Sequence, residues 1–243
     1  MPVEGGLSVK AAMLGGKRKV EKILLDEARH DKDAHFIERK ANELGIEVIK
    51  TSRAKIDALA VGRTHGGVIA YVGKRAYQTL DECLCGQPLL ALVEGVEDPF
   101  NLGYIMRTLY TAGCTGILLR NRDWSKGEDT ILKSSAGAYE YMNVVLSDDL
   151  AEDVKKCRQR GVKCYAAMRK DAIAYWEADY TGPVLIAIGG EMRGLSSGVL
   201  KEMDGNIYIP YANDFRAALN AAGAASALFF EAFRQRKTVT EKE

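Results

Sequence analysis

Histidine and cysteine, the residues that most often hold zinc or form disulfides, are scarce in this sequence. Its three histidines (His30, His35 and His65) are too few and too scattered for a metal-ligand cluster. Its five cysteines are odd in number and show no CxxC spacing, which disfavours both a disulfide framework and a zinc site. We therefore expect no bound metal, and reduced thiols in a cytoplasmic protein.

Membrane-spanning runs and the common nucleotide-binding signatures are also missing. The one long apolar segment, 217–233, is mostly alanine and carries Asn220 and Glu231, so we expect no membrane span. The N-terminus shows no signal-peptide pattern. The chain lacks the GxxxxGK[ST] loop, and no GxGxxG motif opens a helix, so a P-loop and a Rossmann dinucleotide site are not expected.

Charge is nearly balanced over the whole chain but divides unevenly along it. The 243 residues carry 34 Lys+Arg and 33 Asp+Glu, a formal net charge of +1. Residues 1–75 hold 15 basic and 10 acidic side chains (+5), whereas residues 76–243 hold 19 and 23 (−4). A basic part joined to a mildly acidic one favours a polyanion that the first part holds and the second processes.

Residues 1–75 alternate between strand-like and helical segments behind a loose start at 1–6. Strand, helix, strand, helix, strand predicts a small α/β sandwich. Basic side chains cluster in its loops, where they either contact a polyanion or form an ordinary solvated surface. These candidates are Lys17, Arg18, Lys19, Arg63 and His65.

A polar, turn-rich segment at 76–87 is the predicted linker, and residues 88–243 form a second α/β unit. Strands and helices alternate throughout this unit, which predicts a mostly parallel sheet covered on both faces. The segment 171–180 has no regular pattern, and a final helix is expected over 217–234.

The stretch EGVEDPFNLGYIMRTLYTAG, residues 94–113, is the most informative in the chain. After an apolar strand, the recurrence of Leu102, Ile105, Met106 and Leu109 predicts a helix packed on a sheet, capped by either Asp98 or Asn101. Arg107 lies off the apolar stripe, one turn after Gly103. It points either towards the strand end, where open α/β sheets bind ligands, or into solvent as a surface arginine.

Two further stretches carry unusual residues at strand ends. The apolar strand 184–188 runs into Gly189, Gly190 and Glu191, with Gly194 beyond, and paired glycines allow backbone to approach a ligand closely. Ile209 and Pro210 precede Leu219 and Asn220 at the head of an alanine-rich helix. Taken alone, that helix indicates close packing in a core or an interface.

The order DPxNLGxxxRT, GxExxGL, then IP followed by LN resembles the SpoU/TrmH family of RNA ribose 2′-O-methyltransferases. Residues 1–75, which end in THGGVIAYV, resemble the L30e/L7Ae-like RNA-binding domain that often precedes its catalytic domain. The resemblance implies a deep trefoil knot in the C-terminal unit, a homodimer formed through that unit, S-adenosylmethionine as methyl donor, and a structured RNA substrate (ribosomal or transfer). The basic loop residues of 1–75 then become candidate RNA contacts.

Family roles carry over residue by residue. The residues that match catalytic positions are Asn101, Arg107, Glu191 and Asn220. The residues that match positions around the methyl donor are Gly189, Gly190, Glu191, Gly194, Ile209, Pro210 and Leu219. The implied reaction is in-line transfer of a methyl group to a ribose 2′-hydroxyl.

The third motif departs from the family pattern. Residues 218–222 read ALNAA where family members commonly have SLNVS, and Asp214 and Arg216 replace a glycine-containing loop. A catalytically weakened or inactive RNA-binding protein of the same fold is therefore the alternative to an active methyltransferase.

Overall fold

Two separate β-sheets organise the chain in the computed structural model, which describes residues 1–240. The smaller sheet has four strands in the order β1-β4-β2-β3, in which only β2 and β3 are parallel. Its elements are β1 (Pro2–Glu4), α1 (Gly6–Gly15), β2 (Val20–Asp26), α2 (Lys32–Glu43), β3 (Glu47–Thr51), α3 (Arg53–Leu59) and β4 (Val68–Val72).

The loose start expected at 1–6 was wrong. Residues 2–4 form the edge strand β1, antiparallel to β4, and Val3 is fully buried. The carboxylate of Glu4 is also buried and accepts the backbone N–H groups of Val61 and Gly62. A strand of three residues is too short to display an alternating pattern, so only the pairing partner reveals it.

The larger sheet has seven strands, all parallel, in the order β7-β6-β5-β10-β8-β11-β9. Its strands are β5 (Leu89–Glu94), β6 (Gly116–Arg120), β7 (Val144–Ser147), β8 (Lys163–Ala167), β9 (Ala172–Ala174), β10 (Val184–Gly189) and β11 (Gly205–Tyr208). Every residue of β5 is buried because helices cover both faces of the sheet. The predicted α/β class with a mostly parallel sheet is confirmed.

Seven helices accompany this sheet in the described part of the chain. They are α4 (Leu80–Cys83), α5 (Pro99–Thr111), α6 (Glu128–Ser134), α7 (Ala138–Tyr141), α8 (Leu150–Gln159), α9 (Ser197–Lys201) and α10 (Ala221–Thr240). No helix within residues 1–240 is long and apolar enough to cross a bilayer.

The segment predicted as a linker packs against the larger sheet. Leu80 and Cys83 of α4 are buried, and Gln78 exchanges two hydrogen bonds with the backbone of Val144 on the edge strand β7. A capping box between Thr79 and Glu82 starts α4. The last three residues of the predicted catalytic unit, 241–243, lie outside the described residues.

Two element boundaries differ from the expectation. The segment 171–180 contains the edge strand β9 and a 3₁₀ turn at 175–177, so it is only partly irregular. The final helix begins at Ala221, four residues later than expected, because Asn220 caps it. The Asn220 side-chain oxygen accepts the N–H of Gly223 at 2.7 Å, and this cap decides the boundary over the helix propensity of the preceding alanines.

A buried ionic cluster connects the unit built on the smaller sheet with the unit built on the larger sheet. Arg18 contacts Glu128 at 2.7 Å and Glu140 at 2.9 Å, and its side chain is fully buried. Burial alone would lower the pKa of Arg18, but its hydrogen bond to Glu128 and the charges of both carboxylates outweigh burial and raise it. Beside it, Arg75 lies 4.4 Å from the Tyr139 ring centroid and donates to the carbonyl of Met142.

Burial rules out two of the candidate RNA contacts. Arg18 is enclosed between the two units and is not available to a phosphate. His65 is also buried: its Nδ1 accepts the N–H of Gly67, and its Nε2 lies 3.1 Å from Asp57. Both residues serve the internal structure, a role that their position in basic loops did not indicate.

We predict that Arg18→Met lowers the free energy of unfolding by about 3–5 kcal/mol, because it leaves two buried carboxylates without a cation. Urea denaturation followed by circular dichroism measures this loss. Lys19→Met is the matched control, since the adjacent Lys19 side chain is exposed and should change stability little. Equal stability of the two variants would contradict a structural role for the ionic cluster.

Candidate functional site

A cleft of about 480 Å³ lies at the carboxyl ends of β8, β10 and β11. In a parallel sheet this edge is where loops converge and ligands bind. Six of the seven residues predicted to surround a methyl donor line it: Gly189, Gly190, Glu191, Gly194, Ile209 and Leu219. Pro210 is adjacent in sequence but is not among the lining residues.

The glycine pair after β10 permits backbone to pack on backbone. A Cβ on Gly190 would collide with the carbonyl of Gly95, and one on Gly189 would collide with the backbone of Gly194. The Gly190 N–H donates to the carbonyl of Glu94 at 2.7 Å, and Gly194 donates back to Gly190 at 2.9 Å. The glycines therefore seat the turn 189–195 against the end of β5, forming one wall of the cleft.

Glu94 anchors this turn, a role that the sequence alone did not suggest. Its carboxylate is buried, accepts the N–H of Ser196 at 2.8 Å and pairs with Arg120 at 2.9 Å. Breaking these hydrogen bonds would leave a buried carboxylate without partners, which is costly. Glu94 therefore holds the segment at Ser196 and the end of β6 at Arg120 beside the end of β5. The sequence does contain a sign of this role, because Glu94 is the one charged residue at the end of an otherwise apolar strand.

Residues 211–219 form the opposite side of the cleft. The hydroxyl of Tyr211 accepts the N–H of Leu219 at 2.7 Å, which closes this segment into a compact loop. The Arg169 guanidinium lies 4.5 Å from the Tyr211 ring centroid. Sequence reasoning assigned no role to several residues that line the cleft: Met168, Arg169, Arg193 and Tyr211.

The three remaining candidate catalytic residues do not line the cleft of their own chain. Asn101 and Arg107 are exposed on α5, and Asn220 is the cap of α10. Asp98, rather than Asn101, caps α5, since its carboxylate accepts the Asn101 N–H at 2.8 Å. Gly103 serves the close packing of α5 on α6, because a Cβ there would collide with Ser134.

The sequence and the fold of the chain match those of known proteins. Residues 88–230 match the SpoU rRNA Methylase family, and residues 2–78 match the RNA 2′-O ribose methyltransferase substrate-binding domain. The chain belongs to the SpoU methylase family. It is an RNA methyltransferase of that family, which uses S-adenosylmethionine.

Relatives of similar length support this assignment. A Staphylococcus saprophyticus protein named for the TrmH family of tRNA/rRNA methyltransferases is 30% identical, covering 99% of this chain and 98% of its own. The 23S rRNA (guanosine-2′-O-)-methyltransferase RlmB of Pseudomonas syringae is 29% identical over 96% of this chain and 95% of its own. The crystal structure of the SpoU methyltransferase AviRb from Streptomyces viridochromogenes, in complex with AdoMet, superposes with a TM-score of 0.81 and 25% identity, covering 98% and 91% of the two chains.

The lining residues fit the methyl donor of this family. Glycine backbone at 189–194 and the apolar side chains of Ile209 and Leu219 suit the adenosine part of the cofactor. The Glu191 carboxylate suits the hydroxyls of its ribose or the ammonium group of its methionine part. Within residues 1–240 no group of His, Cys, Asp or Glu is arranged to hold a metal ion.

We predict that Gly190→Ala weakens S-adenosylmethionine binding about tenfold or more, because overpacking against Gly95 costs about 1–3 kcal/mol and displaces the turn. Calorimetric titration with the cofactor measures this effect. Gly182→Ala is the matched control, because a Cβ at Gly182 meets no atom within 4 Å. Wild-type affinity in Gly190→Ala would mean that the turn does not shape the cofactor site.

Proposed function

We propose that this protein transfers a methyl group to a ribose 2′-hydroxyl of structured RNA, ribosomal or transfer. The observation that carries the proposal is the cleft itself, where two separate motifs, at 189–194 and 209–219, converge at the carboxyl edge of a parallel sheet. The names of RlmB and of the matched substrate-binding domain both specify 2′-O transfer.

Arg107 is the proposed catalytic cation. A ribose hydroxyl is a weak nucleophile until its proton is removed or its developing negative charge is stabilised. A guanidinium stays protonated, so we assign Arg107 to electrostatic stabilisation and to holding the adjacent phosphate, while a phosphate oxygen or water takes the proton. When bound, S-adenosylmethionine supplies the electrophilic methyl group. Asn101, Glu191 and Asn220 remain proposed site residues.

We predict that Arg107→Ala abolishes methyl transfer but leaves S-adenosylmethionine affinity within a few-fold, because Arg107 does not line the cleft of its own chain and a guanidinium does not attract a cationic cofactor. The test is incorporation of labelled methyl groups into bulk RNA from a strain lacking the protein, with calorimetry for the cofactor. Arg39→Ala is a matched control, since Arg39 is an exposed arginine on helix α2 of the other unit. Loss of cofactor binding together with activity would make the role of Arg107 structural.

The homodimer is part of the same proposal. Helices α5 and α10 pack against each other, and both carry large exposed aromatic side chains: Phe100, Tyr104, Phe230 and Phe233. Exposed aromatic residues grouped on packed elements are typical of interfaces. Because Arg107 is on α5 and is absent from its own cleft, a second copy with Arg107 facing that cleft would complete the site.

We predict that mixing Arg107→Ala with Gly190→Ala, at a cofactor concentration too low to saturate Gly190→Ala, raises activity above that of either variant alone. If a site combines the cleft of one chain with Arg107 of its partner, each mixed dimer has one intact site. Random mixing makes about half of the dimers mixed, so about a quarter of all sites are intact. Methyl incorporation after co-refolding measures the fraction of intact sites, and light scattering measures the molecular mass that identifies a dimer. No restoration in a verified mixed dimer would place Arg107 in the site of its own chain.

Among the candidate RNA contacts of the N-terminal unit, we retain the basic residues that are exposed. Lys19 and Arg63 are exposed and remain proposed phosphate contacts. Lys17 is half-buried and donates to the Asn143 side chain at 2.6 Å, so we expect it to contribute less to RNA binding than Lys19 and Arg63. The five unpaired cysteines support a reducing compartment and hence the cytoplasm.

A second candidate function is RNA binding without methyl transfer. Ala218 and Ala222 stand where family members carry serines, and Ala218 lines the cleft, so a hydroxyl is missing from its wall. Methyl incorporation by the wild-type protein decides between the two functions. RNA binding with no incorporation would favour this second candidate.

A further inference from the structure

We propose that three arginines around the mouth of the cleft bind phosphate groups of the RNA next to the target ribose. These residues, Arg169, Arg193 and Arg216, are called the arginine mouth below. The inference rests on the proposed function, because it assigns the anionic part of the substrate to named side chains.

The arginine mouth is assembled by the fold from three distant parts of the chain. Arg169 follows β8, Arg193 lies in the turn after β10, and Arg216 lies between β11 and α10. All three line the same cleft, and all three are exposed. Three separate loops therefore bring guanidinium groups to one opening at the carboxyl edge of the sheet.

The charge of this opening is unbalanced. Glu191 is the one carboxylate among the cleft-lining residues of the described chain, against three arginines, so the lining carries an excess of two positive charges. No ion pair within residues 1–240 involves Arg169, Arg193 or Arg216, unlike the buried Arg18. In a chain of net charge +1, such a local excess points to an anionic ligand.

The methyl donor does not account for these cations. S-adenosylmethionine carries a sulfonium and an ammonium group against a single carboxylate, so it is itself a cation at neutral pH. Like charges repel one another, and three guanidinium groups therefore do not favour its binding overall. The other substrate is a polyanion, and arginine forms bidentate hydrogen bonds with phosphate.

Arg169 is the best-positioned member of the arginine mouth. Its guanidinium lies over the ring of Tyr211, whose hydroxyl is in turn fixed by the Leu219 N–H. This contact restricts the side chain, and no side-chain hydrogen bond within residues 1–240 uses the Arg169 guanidinium, so its donors can meet a ligand. The adjacent Lys170 carries the same charge and is also exposed, but it does not line the cleft.

The test compares Arg169→Ala, Arg169→Lys and Lys170→Ala in the full-length protein. The probe is unmethylated ribosomal and transfer RNA from a strain lacking the protein, bound at a series of salt concentrations. We expect Arg169→Ala to weaken RNA binding about fivefold to tenfold and to reduce the salt-dependence slope by about 0.7 per lost phosphate contact. Arg169→Lys should retain most of the slope, and Lys170→Ala should match the wild type. Cofactor affinity should stay within twofold in all three.

Two outcomes would overturn the inference. One is RNA affinity and slope in Arg169→Ala that equal those of Lys170→Ala. The other is a fall in S-adenosylmethionine affinity with RNA binding unchanged, which would assign the arginine to the cofactor carboxylate. A wild-type protein that binds RNA but transfers no methyl group counts against the proposed function alone, and the comparison at Arg169 still stands.

Discussion

Backbone packed on backbone, with no side chain between, is the constraint on which the candidate site depends. The turn after β10 rests on the end of β5 because Gly189 and Gly190 lack a Cβ. The buried carboxylate of Glu94 then joins the same turn through Ser196 and reaches β6 through Arg120. Three neighbouring segments are thereby held at one edge of the sheet, and the cleft is the space that they leave open.

A second constraint is the ionic cluster between the two units. Arg18 projects from the N-terminal unit into a pair of carboxylates, Glu128 and Glu140, that belong to the helices beside the larger sheet. Part of the positive charge of residues 1–75 therefore stabilises the junction instead of facing RNA.

Within the C-terminal unit, the two substrates call for opposite electrostatics. A cationic cofactor suits a cleft of glycine backbone and apolar side chains with a single carboxylate, Glu191. A polyanionic RNA suits the arginines at its rim. The cavity is apolar inside and basic at its opening. The cationic cofactor therefore favours the interior, and the anionic RNA favours the opening.

The sequence by itself determined the fold class, most element positions and the motif residues of the cleft, because apolar periodicity and short motifs are local properties. The knot remains a prediction that periodicity cannot test. Only the tertiary structure decided which residues meet: it placed Arg18 and His65 inside, moved the start of α10 to its Asn220 cap, and brought Arg169 to the cleft. The contacts of Arg18 and Arg169 join segments far apart in the chain, whereas the Asn220 cap and the contacts of His65 depend on local side-chain geometry. Neither kind of contact leaves a periodic signal in the sequence.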